Sequence, residues 1–315
     1  MLRSKILSVF DTALSTGHVV WRDSTAHFVF AASVRWQFRL ATALAQKPAG
    51  EHSKPSTTKK DFNPFLPYDE ALFVDSFDNF NLLLNKFSIV RGHVLLTTTD
   101  FQNQLEPLNA SDFAAAWRTL QAPGMSQYLC FYNSGKNAGA SQHHKHLQLI
   151  PEADEDAGQP FPPIRAILSA ETESVARAGT PFTHEALPFA HCLVLLPPSL
   201  SCEDPIAAGK HLEALYQQSL KKAFGDAGQD IGSCLDPETQ ERSAQPSYNV
   251  VLTSEFLMVV PRRAERAEGI SLNSVAFAGM MLVKSQEELD LAIEKGPIEL
   301  LAQVTYPVFV KKIVG

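Results

Sequence analysis

Asn133-Ser-Gly-Lys-Asn-Ala-Gly-Ala-Ser-Gln-His-His-Lys-His-Leu-Gln-Leu-Ile150 joins a loop of small residues to a run with His, His and Gln at every second place. Alternation is the period of a β-strand, whose successive side chains point to opposite faces and whose same-face neighbours lie ~6.6 Å apart. On this reading Gln142, His144, His146 and Gln148 form one chemical row. His143, Lys145, Leu147 and Leu149 form the other, with the apolar end against a core and the polar end near solvent. The loop supplies the complement. Gly135, Ala138, Gly139, Ala140 and Ser141 permit close backbone approach, and Asn133, Asn137, Ser141 and Gln142 add short polar groups, so several donors can converge on phosphate oxygens.

Neutral imidazole is available near pH 7 as a nucleophile toward a phosphoanhydride, and the phosphoramidate it forms is labile enough to pass the group onward. Donors held in place before reaction stabilise the charge that develops. Three rival readings stand beside this one. A closed metal site would draw on His143, His144 and His146, but alternation sends His143 away from the other two and no Cys, Asp or Glu lies within the strand. A core strand of hydrogen-bonded histidines explains a lone His better than three His and two Gln beside a glycine-containing loop. A backbone nest can bind an anion with no nucleophile at all.

His144-Lys145-His146-Leu147-Gln148 resembles the His-x-His-x-Gln signature of the nucleotidyl-transferring branch of the histidine triad superfamily, whose hydrolase branch ends the same motif with a third His. The whole stretch from Asn133 to Gln148 is closely similar to a segment of the ATP adenylyltransferases, also called diadenosine tetraphosphate phosphorylases. Asn63-Pro64-Phe65, Leu84 to Phe87 and Gly92 to Leu96 look like that family's lead-in strands. Ser247 to Thr253, Met258 to Arg262, Gly269 to Asn273 and Gly279 to Lys284 look like its C-terminal half. The likeness covers residues 60 to 310 and is looser before that. The galactose-1-phosphate uridylyltransferases share the pattern but usually carry Pro where Lys145 stands, and often a metal site with paired cysteines.

The resemblance implies a ping-pong nucleotidyl transfer. His146 would attack the α-phosphorus of diadenosine tetraphosphate, expelling ATP, and inorganic phosphate would collect the AMP as ADP. His144 would orient the phosphate or the nucleophilic ring, and Gln148 would hydrogen-bond to phosphate oxygens. An amide cannot act as general base for water, so the adduct would wait for a phosphate acceptor. The family pattern also places Asn133, Gly139, Ala140, Ser141 and Gln142 around the nucleotide, with Asn273, Ser274, Met280 and Lys284 from the C-terminal half and Asn85, Lys86 and Lys47 from the N-terminal half. Lys47 and Lys86 read equally as solvated surface lysines, and Met280 as core. No tightly bound cofactor is expected; a divalent cation such as Mg can accompany the polyphosphate. Transfer to a sugar phosphate or to a sulfate-activated nucleotide, and a sensor that binds without turnover, are the alternatives.

Whole-chain properties fit a small-molecule enzyme. The 315 residues, 45% of them hydrophobic, can bury a large core in one domain or two. The net charge of −7 disfavours nucleic acid as main partner, so attraction for nucleotide phosphates must be local, from groups such as Lys86, Lys136, Lys145 and Lys284. Cys130, Cys192, Cys202 and Cys234 are widely spaced, which suits a reducing compartment. The N-terminus shows neither a signal peptide nor a membrane span, so the cytoplasm is expected.

The predicted fold class is α+β: a duplicated, histidine-triad-like, mostly antiparallel sheet core with flanking helices. Residues 1–60 hold a helix over Ser4–Leu14, an early strand at His27–Phe30 and a mobile loop at 47–64. Residues 61–163 form the catalytic half, with strands at Leu82–Val90, His93–Thr98, Tyr128–Asn133 and His143–Ile150 and a helix capped by Ser111. An exposed connector at Glu152–Pro163 leads into 164–315, a degenerate second half packed into the same compact unit. Its strands fall at Ala190–Leu196, Asn249–Thr253 and Phe256–Val260, with a helix over Pro205–Phe224, a polar loop through Pro246 and a final helix after the Ser285-Gln-Glu-Glu288 capping pattern.

Overall fold

The computed structural model describes residues 1–31, 34–42, 63–151, 165, 168, 178–229 and 246–308. Most of the loop expected at 47–64, the whole connector at Glu152–Pro163, nearly all of the polar loop before Pro246, Lys47 and Cys234 lie outside the described residues.

The chain opens with α1 (Leu2–Ser15), whose Ile6, Phe10 and Ala13 recur at helical spacing and are buried. A hairpin of β1 (Thr25–Ala31) and β2 (Val34–Leu40) follows. Next come β3 (Phe73–Phe77), β4 (Phe80–Leu84), β5 (Val94–Thr98), α2 (Ala110–Gln121), β6 (Tyr128–Ser134) and β7 (His146–Pro151). The second half contributes β8 (Cys192–Leu195), α3 (Pro205–Asp226), β9 (Tyr248–Leu252), β10 (Phe256–Pro261), a short ribbon of β11 (Arg266–Ala267) and β12 (Ile270–Ser271), α4 (Ser274–Ala278), β13 (Met280–Val283), α5 (Gln286–Lys295) and α6 (Pro297–Val304).

One antiparallel sheet of eight strands, ordered β3-β4-β5-β7-β6-β9-β10-β8, runs through both halves. The same path occurs twice in it. β5–α2–β6–β7 lays down neighbours β5-β7-β6, and β8–α3–β9–β10 lays down β8-β10-β9, the two triplets meeting at the antiparallel pair β6/β9 with Tyr132 opposite Val250. Helices α2 and α3 pack together on one face, over the row that includes Leu96, Leu147, Leu149, Cys130, Val250 and Val259. Their contact is close because Gly209 of α3 has no side chain: a Cβ there would lie 2.3 Å from the Ala110 carbonyl oxygen.

The opposite face is shared. Over the second half, and over Phe131 of β6 and Ile150 at the far end of β7, it is covered by β2, β13, α4, α5 and α6, which also bury Val251, Met258 and Val260. Over β4, β5 and β7 the cover is much thinner: Phe65, with Tyr68, packs against Leu83 and Leu95 and leaves space beside His146 and Gln148.

Several expectations need correction. The apolar run 82–90 is not one strand. Asn85 takes the Phe87 amide on its side-chain oxygen and Ser88 bonds back to the Asn85 carbonyl, so the chain turns out of the sheet and re-enters at Val94. The cap of α2 is Asn109, which accepts from the amides of Ser111 and Asp112 while Asp112 accepts from the amide of Asn109. Strand β7 begins at His146, three residues later than expected, because the amide of Lys145 bonds to the carbonyl of Gln102 and the amide of Gln104 to that of His143. The last described helix is α6, not α5, and β13 runs parallel to β2, a pairing no sequence pattern announced.

Candidate active site

On β7 the side chains of His146 and Gln148 share a face with Leu95 and Thr97 of β5, which they oppose in register. Together with Ser141 and Gln142 they line a cavity of about 540 Å³ whose other walls include Phe65, Tyr68, Leu83, Leu95, Asn85 and Lys86. One wall is therefore apolar, suited to a flat base, and the other polar.

His146 is held by its own strand. Its Nδ1 lies 2.8 Å from the carbonyl oxygen of His144, and a carbonyl only accepts, so Nδ1 carries the proton and the lone pair resides on Nε2. No hydrogen-bond partner for Nε2 occurs among the described residues. Burial pushes the pKa down to about 4, so the ring stays neutral at pH 7. The backbone of His146 is clamped as well: Gln104 Oε1 accepts its amide, and Gln104 Nε2 donates to the carbonyls of Asn133 and His146 where β6 and β7 diverge.

His144 serves through its backbone. Its Nε2–H donates to the Thr98 carbonyl at 2.9 Å and faces the Thr98 hydroxyl at 2.8 Å, whose own proton goes to the Asp100 carbonyl. Its Nδ1 accepts from Asn63 Nδ2 at 2.9 Å. With both nitrogens engaged, the ring is a fixture beneath Phe65 and Phe101, and it orients His146 through the peptide oxygen.

Gln148 is oriented by a residue the sequence reading passed over. His93 Nε2 lies 3.1 Å from Gln148 Oε1, and His93 Nδ1 lies 3.2 Å from Asn85 Nδ2. His93 is buried and its pKa is pushed down to about 4, chiefly by desolvation. In the sequence it stood outside the alternating motif and carried no signal beyond its residue type.

The remaining expected residues divide. Ser141, Gln142, Asn85 and Lys86 reach the cavity. Asn133 is buried, and its Oδ1 accepts from Asn249 Nδ2, the Ser274 amide and the Ser274 hydroxyl, so Asn133 and Ser274 join the two halves beside the loop. Arg262 completes this buried junction by donating to Asn249 Oδ1 and to the Leu272 carbonyl. Gly139, at φ +80°, is pressed against Asn273, where a Cβ would lie 3.2 Å from that residue's Cβ. Gly135, at φ +89°, meets Ser247 in the same way. These glycines serve the packing of the loop onto the second half. Gly139, Ala140, Asn273, Ser274, Met280 and Lys284 are not among the residues that line the cavity; Met280 pairs with Gln37 in the small sheet, and the Lys284 amide bonds to Glu288. Lys145 is no phosphate ligand here: it is fully buried on the helix-covered side, paired with Asp112 and donating to the Pro107 carbonyl. His143 is exposed whereas His144 and His146 are buried, and no cluster of three or more His, Cys, Asp or Glu side chains suited to a metal occurs among the described residues.

No helix among the described residues is long and apolar enough to cross a membrane. Family sequence models match the chain as the Ap4A phosphorylase N-terminal domain over residues 1–170 and the ATP adenylyltransferase C-terminal domain over residues 185–307. Diadenosine 5',5'''-P1,P4-tetraphosphate phosphorylase 2 of Saccharomyces cerevisiae is 30% identical over 308 residues, covering 92% of this chain and 89% of that protein. The crystal structure of yeast Ap4A phosphorylase Apa2 superposes with a TM-score of 0.78 at 26% identity, covering 98% of each chain. The same enzyme in complex with Ap4A gives 0.75 at 26% identity and 98% of each chain. With both halves matched in order and a cavity built around His146, the chain belongs to the Ap4A phosphorylase / ATP adenylyltransferase family of transferases.

Proposed function

We propose that this protein phosphorolyses diadenosine tetraphosphate with inorganic phosphate to ATP and ADP, reversibly, through an adenylyl group held on His146. The observation that carries the reading is the neutral, buried imidazole whose Nδ1–H is spent on the His144 carbonyl, leaving the Nε2 lone pair as the nucleophile in a cavity lined by Ser141, Gln142 and Gln148. Nε2 attacks the α-phosphorus, the bond to the bridging oxygen breaks, and ATP leaves with the electron pair. Phosphate oxygen then attacks the same phosphorus, the P–N bond breaks, and ADP leaves with neutral His146 restored. Gln148 donates to the phosphoryl oxygens in both steps and has no basic lone pair with which to activate water.

In this reading Lys86 supplies positive charge at the cavity wall. Asn133, Gly139, Ala140, Asn273 and Ser274 shape the loop that presents Ser141 and Gln142, Met280 and Lys284 approach the nucleotide from outside the cavity lining, and Lys47 keeps the nucleotide contact that the family pattern assigns to it. Any Mg travels with the polyphosphate, whose oxygens are its ligands. The widely spaced cysteines fit a reducing cytoplasm as the working compartment.

The test is incubation with labelled diadenosine tetraphosphate, without and with phosphate. The expected result is an acid-labile, base-stable AMP adduct that phosphate discharges as ADP and that His146→Ala abolishes. Wild-type protein that forms no adduct would overturn the proposal, and discharge by a sugar phosphate in preference to phosphate would replace the acceptor.

A further inference from the structure

A glutamine amide can present either an oxygen or an NH2 group to a phosphate, and the two ends have nearly the same shape, so something else must decide which. Around Gln148 the hydrogen bonds run in one direction. The Phe87 amide donates to Asn85 Oδ1 at 3.0 Å, Asn85 Nδ2 lies over the His93 ring at 3.2 Å from Nδ1 and 3.4 Å from Nε2, and His93 Nε2–H donates to Gln148 Oε1 at 3.1 Å. Because an amide oxygen only accepts, this contact puts the His93 proton on Nε2. The backbones hold the same pair together, since the Asn85 amide donates to the His93 carbonyl at 3.0 Å. The His93 ring rests against Phe131, with centroids 6.1 Å apart, and is 9% exposed, so it is packed in place.

We propose that His93 is a positioning residue for the transfer reaction: by engaging Gln148 Oε1 it turns the Gln148 NH2 toward the cavity as a donor to the phosphoryl group. Asn85, whose Oδ1 is held by the Phe87 amide and whose Nδ2 lies against the ring, acts with His93 by holding the imidazole in place. Without the His93 donor the Gln148 amide is free to rotate and set its oxygen against phosphate oxygens, which stabilises neither step. The inference rests on adenylyl transfer at His146.

The test measures kcat and KM for diadenosine tetraphosphate with phosphate in the full-length protein and in His93→Leu, His93→Gln, Gln148→Ala and His93→Leu/Gln148→Ala. Loss of an orienting donor predicts that His93→Leu lowers kcat by about 10- to 100-fold with KM changed by less than about threefold. His93→Gln, which can place an NH2 where Nε2 stood, restores most of that loss. In the Gln148→Ala background His93→Leu adds less than about twofold, because the residue acts through Gln148. A His93→Leu enzyme within about twofold of wild type, or losses that multiply in the double variant, overturns the assignment. Gln148→Ala as active as wild type overturns it too, while leaving the His146 adduct intact; a wild-type protein without that adduct removes the underlying transfer. Should circular dichroism show His93→Leu unfolded, His93→Phe, which keeps a ring beside Phe131, is read in its place.

Discussion

The imidazole Nδ1 of His146 lies 2.8 Å from the carbonyl oxygen of His144, two residues earlier in the same chain. This contact joins the motif's alternation to its chemistry. One histidine lends its peptide oxygen, the other its ring, and the nitrogen left over is the basic one.

Because burial has lowered the His146 pKa to about 4, the proposed nucleophile stays unprotonated well below the range of an exposed histidine. The acid limb of adenylyl-histidine formation, followed by single-turnover labelling between pH 3.5 and 8, is therefore expected near pH 4. A limb near pH 6.5 would show the ring to be solvated.

Stability should follow the same groups. His93, His146 and His191 all have pKa values pushed down to about 4 by burial, against about 6.5 in an unfolded chain. Between these values the unfolded state binds the protons, so stability falls as pH drops from about 6.5 to 4, by at most about 1.4 kcal/mol per pH unit for each group. Below pH 4 these three add no further loss. Denaturant titrations at pH 7, 6 and 5 check the slope, and His191→Gln, which removes one of the three, should make it shallower.

Lys145 and Asp112 form a buried ion pair on the face away from the cavity. Lys145→Met leaves the carboxylate without its counter-charge and is expected to destabilise by about 3–5 kcal/mol. Adding Asp112→Asn, which keeps an acceptor for the Asn109 amide, should recover a large part of that. Chemical denaturation of the three proteins measures both steps, and kcat of the folded double variant should remain within about twofold of wild type, since neither residue lines the cavity.

Gly135→Ala places a Cβ 2.3 Å from the Ser247 hydroxyl oxygen and 2.7 Å from its Cα, at φ +89°. Gly269→Ala shares the left-handed backbone, at φ +83°, but meets nothing within 4 Å. The second should cost about 1–2 kcal/mol from backbone strain alone. The first should exceed it by a further 1–3 kcal/mol or so from overpacking, and should slow catalysis because the loop carrying Ser141 and Gln142 is displaced. Melting temperatures and kcat of the two variants provide the comparison.

The order of residues from Asn133 to Ile150 carried the strand, though not its start, singled out His146 as the candidate nucleophile and gave the transferase reading, because a two-residue period and an amide at position 148 are local facts. It likewise carried the amphipathic α1 and the Ser285 start of α5, whose spacing and capping need no distant partner. Composition and order could not reveal what depends on contacts made across the chain. Lys145 looked like a phosphate ligand until folding brought Asp112, 33 positions earlier, against it in a dry core. Asn133 and Ser274 looked like nucleotide contacts, yet 141 positions separate two groups that hydrogen-bond to each other at the junction of the halves. His93 showed no pattern at all, because its role comes from its partner Gln148, 55 positions away on the neighbouring strand. Periodicity is written along the chain, whereas the desolvation and pairing of a polar side chain are properties of whatever tertiary structure places beside it.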